Sequence, residues 1–154
     1  ANPSVLSARV EPIVYPGDTV FFRAASGKHL DVEGEVLRAR RDLHSGKQAF
    51  VIEKAEAGAI APGDTVFLRA STGMRLEVEG DAVRVRHQHR GPKQAFIVER
   101  WGGGAGPVRA GDTLFLMAHT GRRLDVAGEQ VRARWPPTPG SWQGLKIEKP
   151  TSSW

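Results

Sequence analysis

Arginine pairs recur at a fixed spacing, and their guanidinium groups are the side chains best suited to hold an anion. The pairs are Arg38 and Arg40, Arg84 and Arg86, and Arg132 and Arg134. A guanidinium offers a planar fork of N–H donors that matches the oxygens of sulfate, carboxylate or phosphate. Acids in the same segments could pair with these arginines instead: Asp31, Glu33, Glu77, Glu79, Asp125 and Glu129. The sequence leaves both interpretations open, and ion pairs of the second kind would contribute little energy.

Motifs of enzyme chemistry are missing from the chain. It has no Gly-x-Ser-x-Gly, no His-Glu-x-x-His, no Gly-Lys-Ser/Thr and no cysteine. One set of repeated carboxylates follows turn glycines, where we expect each to accept a backbone N–H and fix the turn: Asp18, Asp64 and Asp112. A second set lies at strand ends, where we expect solvated charges: Glu53, Glu99 and Glu148. We therefore predict that the protein is not an enzyme and that it needs no cofactor.

The segment His87-Gln88-His89 offers two imidazoles as a possible metal-binding pair. An extended backbone would place its two imidazoles on one face, as zinc ligands often are. No third ligand accompanies the pair, and the corresponding segments elsewhere in the chain have nothing similar. We therefore predict no metal site.

These residues recur because the chain contains three copies of one unit. Gly17-Asp18-Thr19 returns as Gly63-Asp64-Thr65 and as Gly111-Asp112-Thr113, after 46 and then 48 residues. A period of this size indicates one supersecondary unit used repeatedly, and units this small must share one core. The copies span residues 16–54, 62–100 and 110–149. We predict a single domain over residues 16–154, after a lead-in, residues 1–15, that is extended and packs on the surface.

Each copy is predicted to form four short strands, because apolar residues alternate with polar ones between turn signals. Asp31 is expected to point outward between two inward neighbours, and the first strand is apolar on both faces, as if a loop covers it. The predicted core of the first copy consists of Val20, Phe22, Leu30, Val32, Leu37, Phe50 and Ile52. We predict an all-β fold of twelve strands with pseudo-threefold symmetry.

The repeats resemble those of β-trefoil proteins. The string Val66-Phe67-Leu68-Arg69-Ala70-Ser71-Thr72-Gly73 and the later Phe96-Ile97-Val98-Glu99 resemble fascin-type repeats. Gln48-Ala49-Phe50 and Gln94-Ala95-Phe96 are similar to the Gln-x-aromatic motif of ricin-type lectins. Either resemblance implies a barrel of six strands, the first and fourth of each copy, capped by the three hairpins between them. The fold hosts unrelated functions and does not select one.

The ricin-type resemblance implies a sugar site in each copy. An acid on the second strand would bond sugar hydroxyls, and the glutamine of the motif would support it. The matching residues are Asp31, Glu77, Asp125, Gln48, Gln94 and Gln143. The stacking position holds arginine or histidine in the first two copies, and a ring only at Trp135. Alternatively, the glutamines satisfy backbone groups inside their own copies.

Copy three is the predicted ligand site. It combines Asp125 and Trp135 with a proline-rich loop that ends at Trp142. Prolines reduce the entropy lost when such a loop is ordered, and tryptophan rings stack on sugar faces. The alternative is that Trp142 plugs the end of the barrel. The fascin-like resemblance implies instead a module that binds actin or another protein through a broad face.

The positive charge of the chain is explained first by solubility, and attraction to an acidic partner is the alternative. The net charge is +5 and the isoelectric point is about 10.1, values that suit an anionic glycan or another acidic surface, although they also serve solubility alone. No lysine–arginine run typical of nucleic-acid binding occurs, and no apolar run is long enough to span a bilayer. We expect a monomeric recognition module for carbohydrate, without a nucleic-acid partner. If Ala1 is a processed N-terminus, a secreted or periplasmic location follows; the sequence does not decide this.

Overall fold

The computed structural model describes residues 11–135 and 143–150, with Arg134 and Trp135 described by their backbone alone. Twelve strands account for most of the secondary structure in these ranges, and a 3₁₀ turn, Pro92–Gln94, precedes the eighth. The strands are β1 (Thr19–Arg23), β2 (His29–Glu33), β3 (Val36–Arg41), β4 (Phe50–Glu53), β5 (Thr65–Ala70), β6 (Arg75–Glu79), β7 (Ala82–His87), β8 (Phe96–Arg100), β9 (Thr113–Ala118), β10 (Arg123–Ala127), β11 (Gln130–Trp135) and β12 (Leu145–Glu148). The described ranges contain no helix of the length and apolarity that crossing a membrane requires.

Six of these strands close into a barrel. Antiparallel pairing runs from β1 to β4, β5, β8, β9 and β12, and β12 pairs with β1 again. These are the first and fourth strands of each copy, as the β-trefoil resemblance implies. Closure leaves none of the six with an unpaired edge, so the barrel presents no strand to a neighbouring molecule.

The remaining strands form three hairpins that close over one end of the barrel. Each hairpin joins the second and third strands of a copy: β2–β3, β6–β7 and β10–β11. The third strands pair with one another as β3–β7, β7–β11 and β11–β3. This triangle of pairings fixes the outward side chains of β3, β7 and β11 around the pseudo-threefold axis.

The core fills the space between barrel and cap. Every residue of the predicted core of the first copy is buried. Phe22 and Phe50 meet with ring centroids 5.9 Å apart, and Phe96 and Leu68 are equally inaccessible. The second apolar face of the first strand is covered as expected, since Phe21 is buried beneath the ring of His44.

The end of the barrel opposite the cap is closed by residues that precede each copy. Val14, Ile60 and Val108 are fully buried. Backbone hydrogen bonds link them in a ring, from Val14 N to Val108 O (2.9 Å), Val108 N to Ile60 O (2.7 Å) and Ile60 N to Val14 O (2.9 Å). The expectation that the whole lead-in packs on the surface is therefore wrong at its end, because the barrel needs an apolar plug there.

The carboxylates after the turn glycines have the predicted role. Asp18 Oδ2 accepts the N–H of Tyr15 at 2.8 Å, and the equivalent aspartates accept in the same way. Each also meets a cation, as Asp64 meets Lys54 Nζ at 2.8 Å. Burial raises the pKa of Asp64, but the bonds from Lys54 and the Ala61 N–H outweigh it, so the pKa is lowered.

The glutamates that end the fourth strands are not the solvated charges expected from the sequence. Each lies at the junction with the next copy, opposite the first residue of its second strand. Arg75 contacts Glu53 with Nε at 2.7 Å and Nη2 at 3.2 Å, and Arg123 contacts Glu99 at 2.6 and 2.8 Å. Neighbouring copies are thus joined by forked ion pairs that the repeat pattern alone does not reveal.

Candidate anion-binding site

The structure divides the six repeated arginines into two kinds. Arg40 contacts Glu33 at 2.5 Å, and Arg86 contacts Glu79 at 2.6 Å and Glu77 at 2.9 Å. The hydrogen bond from Arg40 is the main reason that the pKa of Glu33 is lowered to about 2. For these two arginines the geometry is that of the same-hairpin ion pair. Arg134 lies in β11, and its side chain is outside the described residues.

The other three arginines line one cavity on the pseudo-threefold axis. Arg38, Arg84 and Arg132 lie on β3, β7 and β11, one from each copy, and we call them the arginine triad. With neighbouring residues of the same strands they enclose about 320 Å³. Backbone pairing sets their positions, since Arg38 pairs with Gln130, Arg84 with Val36, and Arg132 with Ala82.

Nothing in the described part of the chain neutralises the arginine triad. No carboxylate lines the cavity, and none of the three guanidiniums forms an ion pair within the described ranges. The repeated aspartates near the opposite end of the barrel are different from the triad in this respect, because each of them contacts a lysine or an arginine. They are Asp18, Asp64 and Asp112. Three like charges held together raise the local potential and favour an anion that bridges them.

The predicted sugar-binding acids and glutamines are buried, and two of the three pairs are bonded to each other. Gln48 Nε2 donates to Asp31 Oδ2 at 2.7 Å, and Gln94 Nε2 donates to Glu77 Oε1 at 3.0 Å. Gln48 Oε1 accepts the N–H of Ser45, and Gln94 Oε1 accepts that of Gly91. Asp125 and Gln143 are buried at the same places in copy three.

These contacts correct one detail of the sequence analysis. Asp31 does not point outward to solvent, because the segment between β3 and β4 folds over it and brings Gln48 onto its carboxylate. Burial raises the pKa of Glu77, but hydrogen bonds from His87, Arg86 and Gln94 outweigh it and lower the pKa. A sugar would reach these carboxylates only if the covering segment moved. Their ligand-binding role stays a prediction.

Aromatic residues give one further concave surface. Trp101 remains 55% exposed although its ring packs 5.5 Å from that of Phe115. Together with Arg23, Thr113 and Lys146 it lines a cavity of about 350 Å³. In the sequence, the place of Trp101 after a fourth strand, beside no apolar alternation, is the available sign of its exposure. Trp135 ends β11, and Trp142 lies outside the described residues, so the copy-three site stays a prediction.

The pair His87 and His89 is close in space, with ring centroids 4.9 Å apart. His87 Nδ1 lies 2.5 Å from Glu77 Oε1, and Arg86 contacts the same carboxylate. A different group was not predicted from the sequence to come together: the ligand atoms of His29, His44 and Glu148 all lie within 4.8 Å of one another.

Comparison with known proteins identifies the fold. No protein-family model matches the chain, and no curated protein sequence does. A crystal structure of a designed 3-fold symmetric protein, ThreeFoil, matches 85% of this chain and 98% of its own, with a TM-score of 0.66 at 20% identity. The chain is a β-trefoil.

Natural proteins share this trefoil. The S. cerevisiae protein O-mannosyltransferase Pmt1–Pmt2 complex bound to the sugar donor matches 91% of the chain with a TM-score of 0.76 at 14% identity. The match spans only 26% of that mannosyltransferase chain. The SDF2-like protein from Arabidopsis thaliana matches 88% of this trefoil and 94% of its own chain, with a TM-score of 0.73 at 9% identity. At these identities the likeness shows the fold alone, and the finer fascin-type and ricin-type resemblances stay predictions.

Proposed function

We propose that this trefoil is a non-catalytic recognition module that binds an anionic glycan at the arginine triad. The observation that carries the proposal is that three arginines, one from each copy, line one cavity whose described lining includes no carboxylate. Its volume, about 320 Å³, suits a small-molecule group, since such sites measure about 300–1,000 Å³. Sulfated or uronic acid sugars carry several anionic groups, each of which a guanidinium can bind through two N–H donors.

Two further observations support a glycan among possible anions. The half-exposed ring of Trp101 lies beside Lys146, and this combination can stack on a sugar face while it binds an acidic substituent. One structure with the same fold belongs to a protein bound to a sugar donor, which supports the choice by analogy of fold only.

Heparin affinity tests the site. In the variant Arg38→Ser/Arg84→Ser/Arg132→Ser we expect elution at much lower salt, since each guanidinium–anion contact contributes about 1.5–3 kcal/mol. The matched control is Lys28→Ser/Lys47→Ser/Arg90→Ser, which removes the same formal charge from exposed positions outside the cavity. Equal losses of retention in the two variants would mean that net charge alone causes binding, and the proposed site would be rejected.

A glycan array identifies the class of ligand. We expect binding to sulfated or carboxylated glycans and not to neutral ones, lost in the triad variant. Trp135→Ala in the same array tests the copy-three site predicted from the sequence.

A blank array together with cosedimentation with F-actin would favour the fascin-like alternative. Turnover in a hydrolase screen, abolished by one substitution, would contradict the non-catalytic assignment.

A further inference from the structure

The junction between copy three and copy one departs from the other two junctions. In those, an arginine at the start of the second strand forks onto a glutamate of the preceding copy, as Arg75 does onto Glu53. In copy one the equivalent residue is His29, whose Nε2 lies 2.5 Å from Glu148 Oε1. The ring is almost completely buried, with 1% of His29 exposed.

A second arginine that contacts Glu53 in copy two also has a histidine as its equivalent in copy one, where that histidine contacts Glu148. Arg90 lies 3.5 Å from Glu53 and covers the ring of Phe67. The residue 46 positions earlier is His44, which stacks on Phe21 and places Nε2 2.9 Å from Glu148 Oε1. Copy one thus presents two imidazoles to a glutamate where copy two presents two guanidiniums.

We propose that His29, His44 and Glu148 form a binding site for a divalent transition metal ion of the zinc class. The two Nε2 atoms and Oε1 lie within 4.8 Å of one another, and the ring-to-carboxylate contacts would open slightly to admit an ion at about 2.0–2.2 Å from each ligand. Two imidazoles and one carboxylate are a ligand set that zinc accepts, with a water in the fourth position.

The surroundings of the three ligands suit a metal. Asp42 Oδ1 lies 3.3 Å from His29 Nδ1, the arrangement in which a carboxylate orients a ligating imidazole. Copy two has Gln88 at that position. Arg23 Nε contacts the second oxygen of Glu148, Oε2, at 3.2 Å, which leaves Oε1 directed at the histidines.

The junction at Glu148 also carries less positive charge than the junction at Glu53, which favours a cation at Glu148. At Glu53 three arginines, Arg69, Arg75 and Arg90, face one carboxylate. At the Glu148 junction one arginine, Arg23, faces two carboxylates, and imidazoles replace the other two guanidiniums. A divalent cation would be repelled at the first junction and attracted at the second. His44 is 36% exposed on its side chain and Glu148 17%, so the ion could enter from the His44 side.

Binding of the ion would link copy three to copy one. Glu148 belongs to the last strand of the barrel, and His29 follows the first strand, so the ion would join the two ends of the repeat array. Ligands that bind only the folded state stabilise it in proportion to their affinity. We therefore expect Zn²⁺ to raise the midpoint of thermal unfolding.

The test titrates Zn²⁺ into chelator-treated full-length protein, by calorimetry and by thermal unfolding. We expect one equivalent to bind and the unfolding midpoint to rise, whereas Mg²⁺, which prefers oxygen ligands, does neither. The variant His29→Arg/His44→Arg rebuilds the copy-two junction, so it should fold and bind no zinc. Asp42→Ala should bind zinc about 10–100-fold more weakly.

Two further variants keep the proposal falsifiable. His44→Ala removes a ring that is 36% exposed and should lose zinc binding even if the double arginine variant fails to fold. His87→Ala/His89→Ala removes the other histidine pair and should bind zinc as the wild type does. The proposal is overturned if the wild type binds no stoichiometric zinc, if His44→Ala binds it equally well, or if the His87/His89 variant loses it.

Discussion

Replacing Gln48 by leucine should destabilise the trefoil although it adds no bulk and leaves an apolar side chain in a buried place. Gln48 Nε2 is the donor to Asp31 Oδ2 at 2.7 Å, and both residues are fully buried. The nearest guanidinium nitrogens, Arg40 Nε at 3.4 Å and Arg41 Nε at 3.8 Å, do not replace this donor at its distance. The substitution therefore leaves a buried carboxylate without its best hydrogen bond.

The magnitude follows from the kind of bond lost. A hydrogen bond to a charged group contributes about 1.5–3 kcal/mol, and the carboxylate that loses this donor cannot replace it with water where it lies. Ser45, whose N–H also loses its acceptor, is exposed, so that group is rehydrated and adds little. We expect the free energy of unfolding to fall by about 2–3 kcal/mol and the midpoint by about 4–12 °C.

Urea and thermal unfolding, followed by circular dichroism, measure both quantities. Gln88→Leu is the matched control, since Gln88 is exposed and the same change there should stay within about 0.5 kcal/mol. Adding Asp31→Asn to Gln48→Leu should recover part of the loss, because a neutral amide costs less to bury than a carboxylate. A loss no larger than that of the control, or no recovery in the double variant, would refute the reasoning.

Three other predictions concern stability. Phe96→Ala should cost about 3–5 kcal/mol in urea unfolding, whereas its neighbour on the same strand, Ile97→Ala, should cost far less, because Phe96 is 0% and Ile97 37% exposed; similar losses would contradict the assigned core. Gly63→Ala should cost about 1–2 kcal/mol because the backbone has φ of +93° there, and Gly46→Ala, at ordinary φ in open space, should not; equal midpoints would show that the turn relaxes. The pKa of Glu77 is lowered from 4.5, so its contribution to stability is complete above that value and is lost as pH falls through the lower, folded-state pKa. Glu77→Gln should therefore flatten the acid limb of a pH–stability curve, and an unchanged slope would count against this assignment.

Local patterns predicted the elements well because each depends on neighbours in sequence. Period-two alternation identified the inward side chains, such as Leu30 and Phe50, since a strand exposes alternate residues to one face. The glycine and aspartate of each turn act within three residues, so the sequence predicted that Asp18 accepts a backbone N–H, and the donor is that of Tyr15. The repeat then supplied the number of strands, and closure of the barrel followed from the β-trefoil resemblance.

Contacts that depend on the other face of a strand were not predicted. Alternation states that Asp31 faces away from the core, but it cannot state that a later segment will cover that face. Val14 and its equivalents stand alone among irregular residues, so no periodicity marks them; their spacing of 46 and 48 residues was the available signal. His44 and Glu148 are 104 positions apart, and only alignment of copy one with copy two shows that histidine stands there for arginine.

Differences among the copies, more than their shared residues, indicate where function resides. Residues common to all three copies fill the core and fix turns, and those roles are satisfied inside the protein. Residues that repeat without an ion partner in the described part of the chain are different: like charges around one cavity repel one another, and the arginine triad places three of them there. An anion bound on the axis would offset this repulsion. At the junction of copy three with copy one, the sequence departs from threefold symmetry because imidazoles replace guanidiniums. The proposed result there is a site for a cation. The two sites are independent: loss of heparin binding in the triad variant should leave zinc binding intact, and the double arginine variant of the junction should still bind heparin.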